Sequence, residues 1–213
     1  MTTNLLEKLA DKTLTKEGLL KEVEKDFSLL PQLVQGTASA KAGIRYGCGK
    51  VLMDLSEKYP EKLYPYIDHF FELLDSEYRI LIWNAMITIA NLAKVDREKK
   101  LDAIFGKYYG FMHNEYMVTV ANLVGSSGKI ALAKPYLIQD ITRELLKVEG
   151  LSTTPHLTEE CKRVITEHAI QSFDLFFDRV EAKNDVLSFV KRQVGSPRKS
   201  LDRRAREFLG KWG

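Results

Sequence analysis

The 213-residue sequence predicts an all-α protein built as a stack of antiparallel helix pairs. Three observations predict it. Apolar residues recur at three-to-four spacing along most of the chain. One residue pattern returns at shifts of 37 and 38 residues. All six prolines fall where helices should begin or end.

The elements follow in order. Residues 1–29 read as an N-terminal cap. The first pair, 30–56, opens at Pro31. Its second helix carries Gly43 and Gly47, four apart on one face, which suits close helix approach. The second pair, 60–94, opens at Pro60, with Pro65 in an early turn. Its first helix shows the helical period in Leu63, Tyr66, Ile67, Phe70, Phe71 and Leu74. The third pair, 97–131, repeats it in Leu101, Ile104, Phe105, Tyr108 and Tyr109. The fourth, 134–180, starts at Pro135 and has a long connection over 149–157 that predicts an inserted segment. The fifth, 183–211, has Pro197 before its second helix. No period-2 run with hairpin punctuation argues for a strand.

The repeat sits in the second helices. Residues 76–93 align with 114–131 at a shift of 38: Glu77 meets Glu115, Tyr78 meets Tyr116, Ile80 meets Val118 and Asn84 meets Asn122. At a shift of 37, Ile44 meets Leu81, Cys48 meets Ala85, Leu52 meets Ile89 and Leu55 meets Leu92. The stretches D-S-E-Y-R-I-L-I-W-N-A-M-I-T-I-A-N-L at 75–92 and S-P-R-K-S-L-D-R-R-A-R-E-F-L at 196–209 place a short Asp/Ser turn, then Arg, then a small Ala on an apolar helix. This pattern resembles the HEAT-repeat family and covers the chain from about residue 30. The resemblance implies a right-handed α-solenoid of about five stacked pairs, an α-α superhelix whose second helices form a concave inner wall.

Composition excludes several classes. The chain is 45% apolar and 29% charged with a net charge of +3, a balance that does not require nucleic acid. No apolar run approaches the roughly 20 residues of a membrane span, and the N-terminus lacks a secretory pattern. The expected location is cytoplasmic, with Cys48 and Cys161 as buried free thiols.

Candidate chemistry is sparse. The cluster from Gly43 to Lys50 has five residues between Gly43 and Gly49-Lys50, and Val51 follows the lysine. A phosphate loop needs four residues and then Ser or Thr. Ser126 to Lys129 reads as a helix C-cap and turn. His69 and His168 fall in helices, and His113 and His156 in loops or caps, none at metal-ligand spacing. No nucleophile elbow or Cys–His cue occurs. No catalytic, cofactor or metal residue is expected, and the chain is not expected to be an enzyme.

The candidate binding surface is therefore polar. On the early inner helices it comprises Lys41, Arg45, Glu77, Asn84, Thr88 and Asn91, continued by Glu115, Thr119, Asn122 and Ser126 as positions left to solvent. In the fourth pair the carboxylates Glu160, Glu167, Asp174 and Asp178, on one polar stripe with Arg163 and Gln171, read either as a solvated face or as an acidic wall for a basic partner. Residues 190–213 hold eight Lys or Arg against two acids. Arg198, Lys199, Arg203, Arg204 and Arg206 form this basic patch, either a phosphate-binding site or the polar face of a capping repeat.

The expected function is a non-catalytic scaffold binding a macromolecular partner, a protein before a nucleic acid and not a membrane. The alternative is a nucleic-acid-binding relative of the alkylpurine DNA glycosylases, which are HEAT-like, with a degenerate or absent catalytic site. The residues depart from that family: Trp83 is followed four positions later by Ile87, not a carboxylate. The inner lines are neutral or acidic, with Lys41, Arg45 and Arg79 the only basic residues near an early inner face.

Overall fold

A computed structural model describes residues 5–213, in two compact units: the described part of Met1–Leu101, and Asp102–Gly213. All regular elements among the described residues are helical, apart from one isolated bridge between Thr154 and Leu157.

The first unit contains α1 (Leu5–Ala10), α2 (Lys16–Lys25), α3 (Leu30–Gly36), α4 (Ala42–Lys58), α5 (Pro60–Leu63), α6 (Ile67–Leu73) and α7 (Arg79–Leu92). The long helices α4 and α7 lie side by side and run the same way. Arg45 meets Tyr78, Gly49 meets Leu81 and Asn84, and Ser56 meets Asn91. Short helices cover their far side, and Leu33, Leu52, Leu63, Ile67, Phe70 and Ile89 close the core. Pro31 and Pro60 stand in the first turns of α3 and α5, where a missing N–H costs nothing. Pro65 sits in a 3-10 turn, Tyr64–Tyr66, that joins α5 to α6.

Gly47 and Gly49 of α4 behave as packing residues, whereas a Cβ on Gly43 would come no closer than 3.7 Å to Ala10. A Cβ on Gly47 would lie 2.5 Å from Leu9 Cδ2, and one on Gly49 would lie 2.8 Å from Leu81 Cδ2. The bare faces of α4 thus let α1 approach on one side and α7 on the other.

The boundary between the units falls within α8 (Lys100–Ala103). The second unit continues with α9 (Phe105–Gly110), α10 (Met117–Ala133), α11 (Ile138–Leu146), α12 (Glu159–Phe176), α13 (Lys183–Lys191) and α14 (Lys199–Trp212). Here α10, α12 and α14 stack in parallel, backed by the shorter α9, α11 and α13. Val120, Leu123, Ile141, Ile165, Phe173 and Phe189 are buried between these layers.

The stretch from Ser126 to Lys129, expected to end a helix, lies inside α10. The reason is packing. Gly128 opens α10 to α12, and Ser172 Oγ donates to the Val124 carbonyl at 2.7 Å. Ser127 bonds the buried Tyr109 hydroxyl at 3.2 Å, and Ser126 does the same for Tyr108. Burial raises both phenols well above the usual range, so they stay protonated.

One local device starts the long helices. The backbone N–H of the N-cap residue donates to a side chain two positions earlier: Lys41 to Ser39, Tyr78 to Ser76, Tyr116 to Asn114 and Arg198 to Ser196. Short Ser and Asn side chains form such turns against their own backbone. The exception is α12, whose cap is Thr158, accepting from the Cys161 N–H at 3.3 Å. Cys161, expected to be buried, is half-buried in that first turn, because the apolar stripe of α12 begins deeper, at Ile165. Cys48 is buried as expected, and desolvation pushes its thiol up to about 12.

The inserted segment 149–157 is ordered. Leu157 is buried, Thr154 Oγ1 donates to the Glu115 carbonyl at 2.8 Å, and the His156 carbonyl accepts the Met117 N–H. The loop thereby satisfies one of the orphan amides at the start of α10. The His156 ring stacks on Tyr116 with centroids 4.6 Å apart.

Candidate functional site

The expected polar line faces solvent only in part: Glu77 and Glu115 are exposed and Asn84 and Asn122 half-buried, but four of its members are buried. Thr88 is 1% exposed, Asn91 6% and Thr119 2%, and Ser126 is buried with them. Asn91 Nδ2 donates to Ser56 Oγ at 3.0 Å, so it bonds α7 to α4. Asn84, half-buried, lies against Gly49. The Asn84 and Thr88 positions carry buried side-chain atoms, Nδ2 and Oγ1, without a hydrogen-bond partner among the described residues. Small polar side chains in these helices thus lie in helix–helix seams.

Arg45 is likewise buried. Its guanidinium lies 3.7 Å from the Tyr78 ring centroid and 4.7 Å from that of Tyr46, and Nη1 donates to the Ser39 and Ala40 carbonyls. It clamps the start of α4 to the start of α7. Lys41 stays exposed and pairs with Glu7 at 2.7 Å, and Glu77 is exposed. Asn122 and Gln171 are half-buried.

The acidic wall and the basic patch were expected as separate surfaces, and they meet. Glu160, Glu167 and Asp174 stand seven residues apart, one line along α12. That line faces α14. Arg198 bonds Glu160 at 2.6 Å and Glu167 at 3.0 Å, Ser200 donates to Glu167 at 2.7 Å, and Lys211 and Trp212 bond Asp174 at 2.8 and 2.7 Å. Arg163 pairs with Glu160 at 3.1 Å. The Glu160 carboxyl is held below its ordinary value by Arg198 and then Arg163. At Glu167 burial pushes the other way, but the bonds from Ser200 and Arg198 together outweigh it and the net shift is downward. Asp174 behaves alike: burial raises it, and Lys211 and Trp212 together lower it further. Phe208 and Trp212 pack on Phe177 with centroids 5.0 and 5.3 Å away.

The rest of the basic patch is partly neutralised. Arg206 pairs with Asp202 at 3.0 Å, while Arg204 and Arg203 approach Glu207 at 3.3 and 3.9 Å. Lys199 is exposed.

The solvent side of the long helices is more apolar than the sequence reading allowed. Ile80 is 41% exposed, Val118 42%, Leu132 43% and Leu175 50%, and all four lie on α7, α10 or α12. Ile80 and Val118 were already equivalent at the 38-residue shift, and that was the signal available in the sequence. On α10 the open stripe runs Val118, Asn122, Gly125, Lys129, Leu132. On α12 it runs Val164, His168, Gln171, Leu175. The two stripes adjoin. A Cβ on Gly125 would lie 3.6 Å from His168 Nδ1, and one on Gly128 would lie 2.6 Å from Leu175 Cδ1.

Elsewhere, a cavity of about 470 Å³ opens beside the first turns of α12. Its cations are engaged: Lys162 with Glu159 at 3.2 Å, and Arg192 with both oxygens of Glu149 at 2.6 and 2.7 Å. His69 Nε2 meets Thr37 Oγ1 at 3.0 Å, and burial lowers its pKa. Among the described residues no group of three His, Cys, Asp or Glu side chains could hold a metal ion, and no helix is long and apolar enough to cross a membrane.

No protein-family model matches the chain, and no curated protein matches it. Solved structures do. A designed armadillo repeat protein is 17% identical with a TM-score of 0.62, covering 98% of this chain and 90% of its own. A second, solved in complex with the peptide (KR)4, is 15% identical with a TM-score of 0.65, covering 98% and 91%. A third, from computationally designed armadillo repeat proteins for modular peptide recognition, is 16% identical with a TM-score of 0.60, covering 98% and 90%. At such identities the likeness is one of fold. The chain is an all-α solenoid of armadillo-like architecture.

Proposed function

We propose that the chain is a non-catalytic scaffold that binds a protein partner through the open faces of its long helices, with HEAT-like pairs as its repeat. The observation that carries this is the exposed apolar side chain at the same repeat position, Ile80 on α7 and Val118 on α10. Isolated surface apolar residues are ordinary. Apolar residues exposed at equivalent places of a repeat, one in each unit and accompanied in the second by Leu132 and Leu175, mark faces with a use. Two of the designed proteins that share the fold are described by the peptides they hold or recognise, which supports a polypeptide as the partner. A nucleic-acid surface has less support, because Arg198 is held by Glu160 and Glu167 and Arg206 by Asp202.

The test is affinity capture from source lysate with wild type and with Ile80→Glu and Val118→Glu, compared by quantitative mass spectrometry. Partners should be recovered by wild type and depleted by at least one variant, while both variants keep the wild-type circular dichroism and melting temperature. Identical partner sets for all three proteins would reject the reading.

A further inference from the structure

We propose that the cavity beside the first turns of α12 binds the phosphate group of a small molecule. The proposal is independent of the scaffold reading. The cavity lies wholly within the second unit. Its volume of about 470 Å³ falls in the range of small-molecule sites, roughly 300–1,000 Å³. One wall is residues 193–197, the turn between α13 and α14. That turn is fixed: Gly195 takes φ +83°, its N–H donates to Asp202 Oδ1 at 2.7 Å, and the Ser196 N–H donates to the Gln193 carbonyl. Lys162, Arg163 and Thr166 of α12 form another wall, and Val148 and Val194 add an apolar part.

Three cations line this space, Lys162, Arg163 and Arg192, with two carboxylates, Glu149 and Glu159. Each cation has a partner, and none is saturated. Lys162 gives Glu159 one bond, at 3.2 Å, of the three its ammonium can make. Arg163 uses Nη1 on Glu160, and Arg192 uses Nε and Nη2 on Glu149. Nε and Nη2 of Arg163 and Nη1 of Arg192 have no acceptor among the described residues. Net charge does not set the preference. The groups bonded to this set are Arg198 and Arg206 against Glu160, Glu167 and Asp202, and with them cations and carboxylates balance. The unfilled donors set it. A phosphate presents several acceptor oxygens to them at once, in charge-assisted bonds. A cationic ligand would instead meet three cations and two carboxylates that are already bonded. Glu159 is exposed and makes the longest of these bonds, so it is the acid that an incoming phosphate replaces on Lys162.

The experiment is isothermal titration calorimetry of the full-length protein with inorganic phosphate, phenyl phosphate and benzylamine, at constant ionic strength. Circular dichroism and thermal melting establish that each variant is folded. Both phosphates should bind and benzylamine should not. Arg163→Gln and Arg192→Gln should each weaken phosphate binding by about tenfold, the loss of one charge-assisted hydrogen bond. Glu159→Gln should tighten it, by removing the competing carboxylate, and Lys199→Glu, outside the cavity lining, should leave it unchanged. Tighter binding of phenyl phosphate than of inorganic phosphate supports an ester whose apolar part meets Val148 and Val194, and equal affinity supports the free anion. No binding of either phosphate, benzylamine binding as tightly as phenyl phosphate, or unchanged affinity in both arginine variants overturns the proposal. So does a loss in Lys199→Glu as large as theirs. If the arginine variants do not fold, Glu159→Gln decides alone, and an affinity no tighter than wild type overturns the site.

Discussion

Gly128 and Gly43 occupy the same kind of helix and should respond oppositely to the same substitution. A Cβ at Gly128 would sit 3.2 Å from Ser172 Cα and 3.4 Å from its carbonyl oxygen, both backbone atoms of α12. Backbone cannot rotate away, so Gly128→Ala forces α10 and α12 apart. It should destabilise by about 1–3 kcal/mol despite alanine's helix preference. At Gly43 the nearest atom, Ala10 Cα, would be 3.7 Å away, an ordinary contact. Gly43→Ala should then stabilise by about 0.5 kcal/mol, through helix propensity alone. Urea denaturation midpoints of the two variants decide the matter; equal shifts of the same sign would contradict it. The same scale explains what the sequence hid. Thr88, Asn91, Thr119 and Ser126 look like surface residues by type. In these helices they are buried, and at Asn91 the neighbouring helix supplies the partner, Ser56. Residue type reports polarity, not which neighbour satisfies it.

The pairing of α12 with α14 is an element-level feature with a pH signature. Glu160, Glu167 and Asp174 all titrate below their ordinary values in the folded chain. A lowered folded pKa means that the unfolded chain binds protons first as pH falls, so the stabilisation is complete above the ordinary carboxylate range and is lost as pH drops through the folded values. Arg198 serves two of the three carboxylates. Arg198→Gln should be less stable than wild type near neutral pH, and the gap should close as pH falls below about 4.5, the ordinary glutamate value. Denaturant midpoints measured across that range check this; a gap that stays constant with pH would remove the ladder as its cause. The sequence groups Glu160, Glu167 and Asp174 on one stripe with Asp178, which the structure places past the end of α12 in the 3-10 turn Phe177–Arg179. The direction of the stripe was not visible, since a line of carboxylates is equally compatible with water and with a cationic neighbour until the next helix is placed. Helix starts were more legible. Ser39, Ser76, Asn114 and Ser196 act through bonds two residues long, which need no tertiary information.

At the scale of the whole molecule, the helical period and the repeat shift were enough to identify a stack, because each long helix carries more apolar surface than one partner can bury. The division into two compact units was not legible. The repeat pattern runs unbroken from Ser76 to Ala131 across it, and nothing in the composition marks the boundary within α8. The two cores predict how the molecule opens. Phe173 is fully buried in the second unit, against Phe176 and Phe189 at centroid distances of 5.9 Å. Phe173→Ala removes a large side chain from close packing and should cost about 3–5 kcal/mol there. In a stack stabilised by contacts between successive repeats, that loss is felt most by the helices sharing the core and less with distance along the chain. Hydrogen exchange of the variant should therefore show protection falling first in α10, α12 and α14, with α4 and α7 retaining slower exchange. If protection instead falls by the same factor in all five helices, the two cores unfold as one cooperative body, and the separation into units has no energetic counterpart.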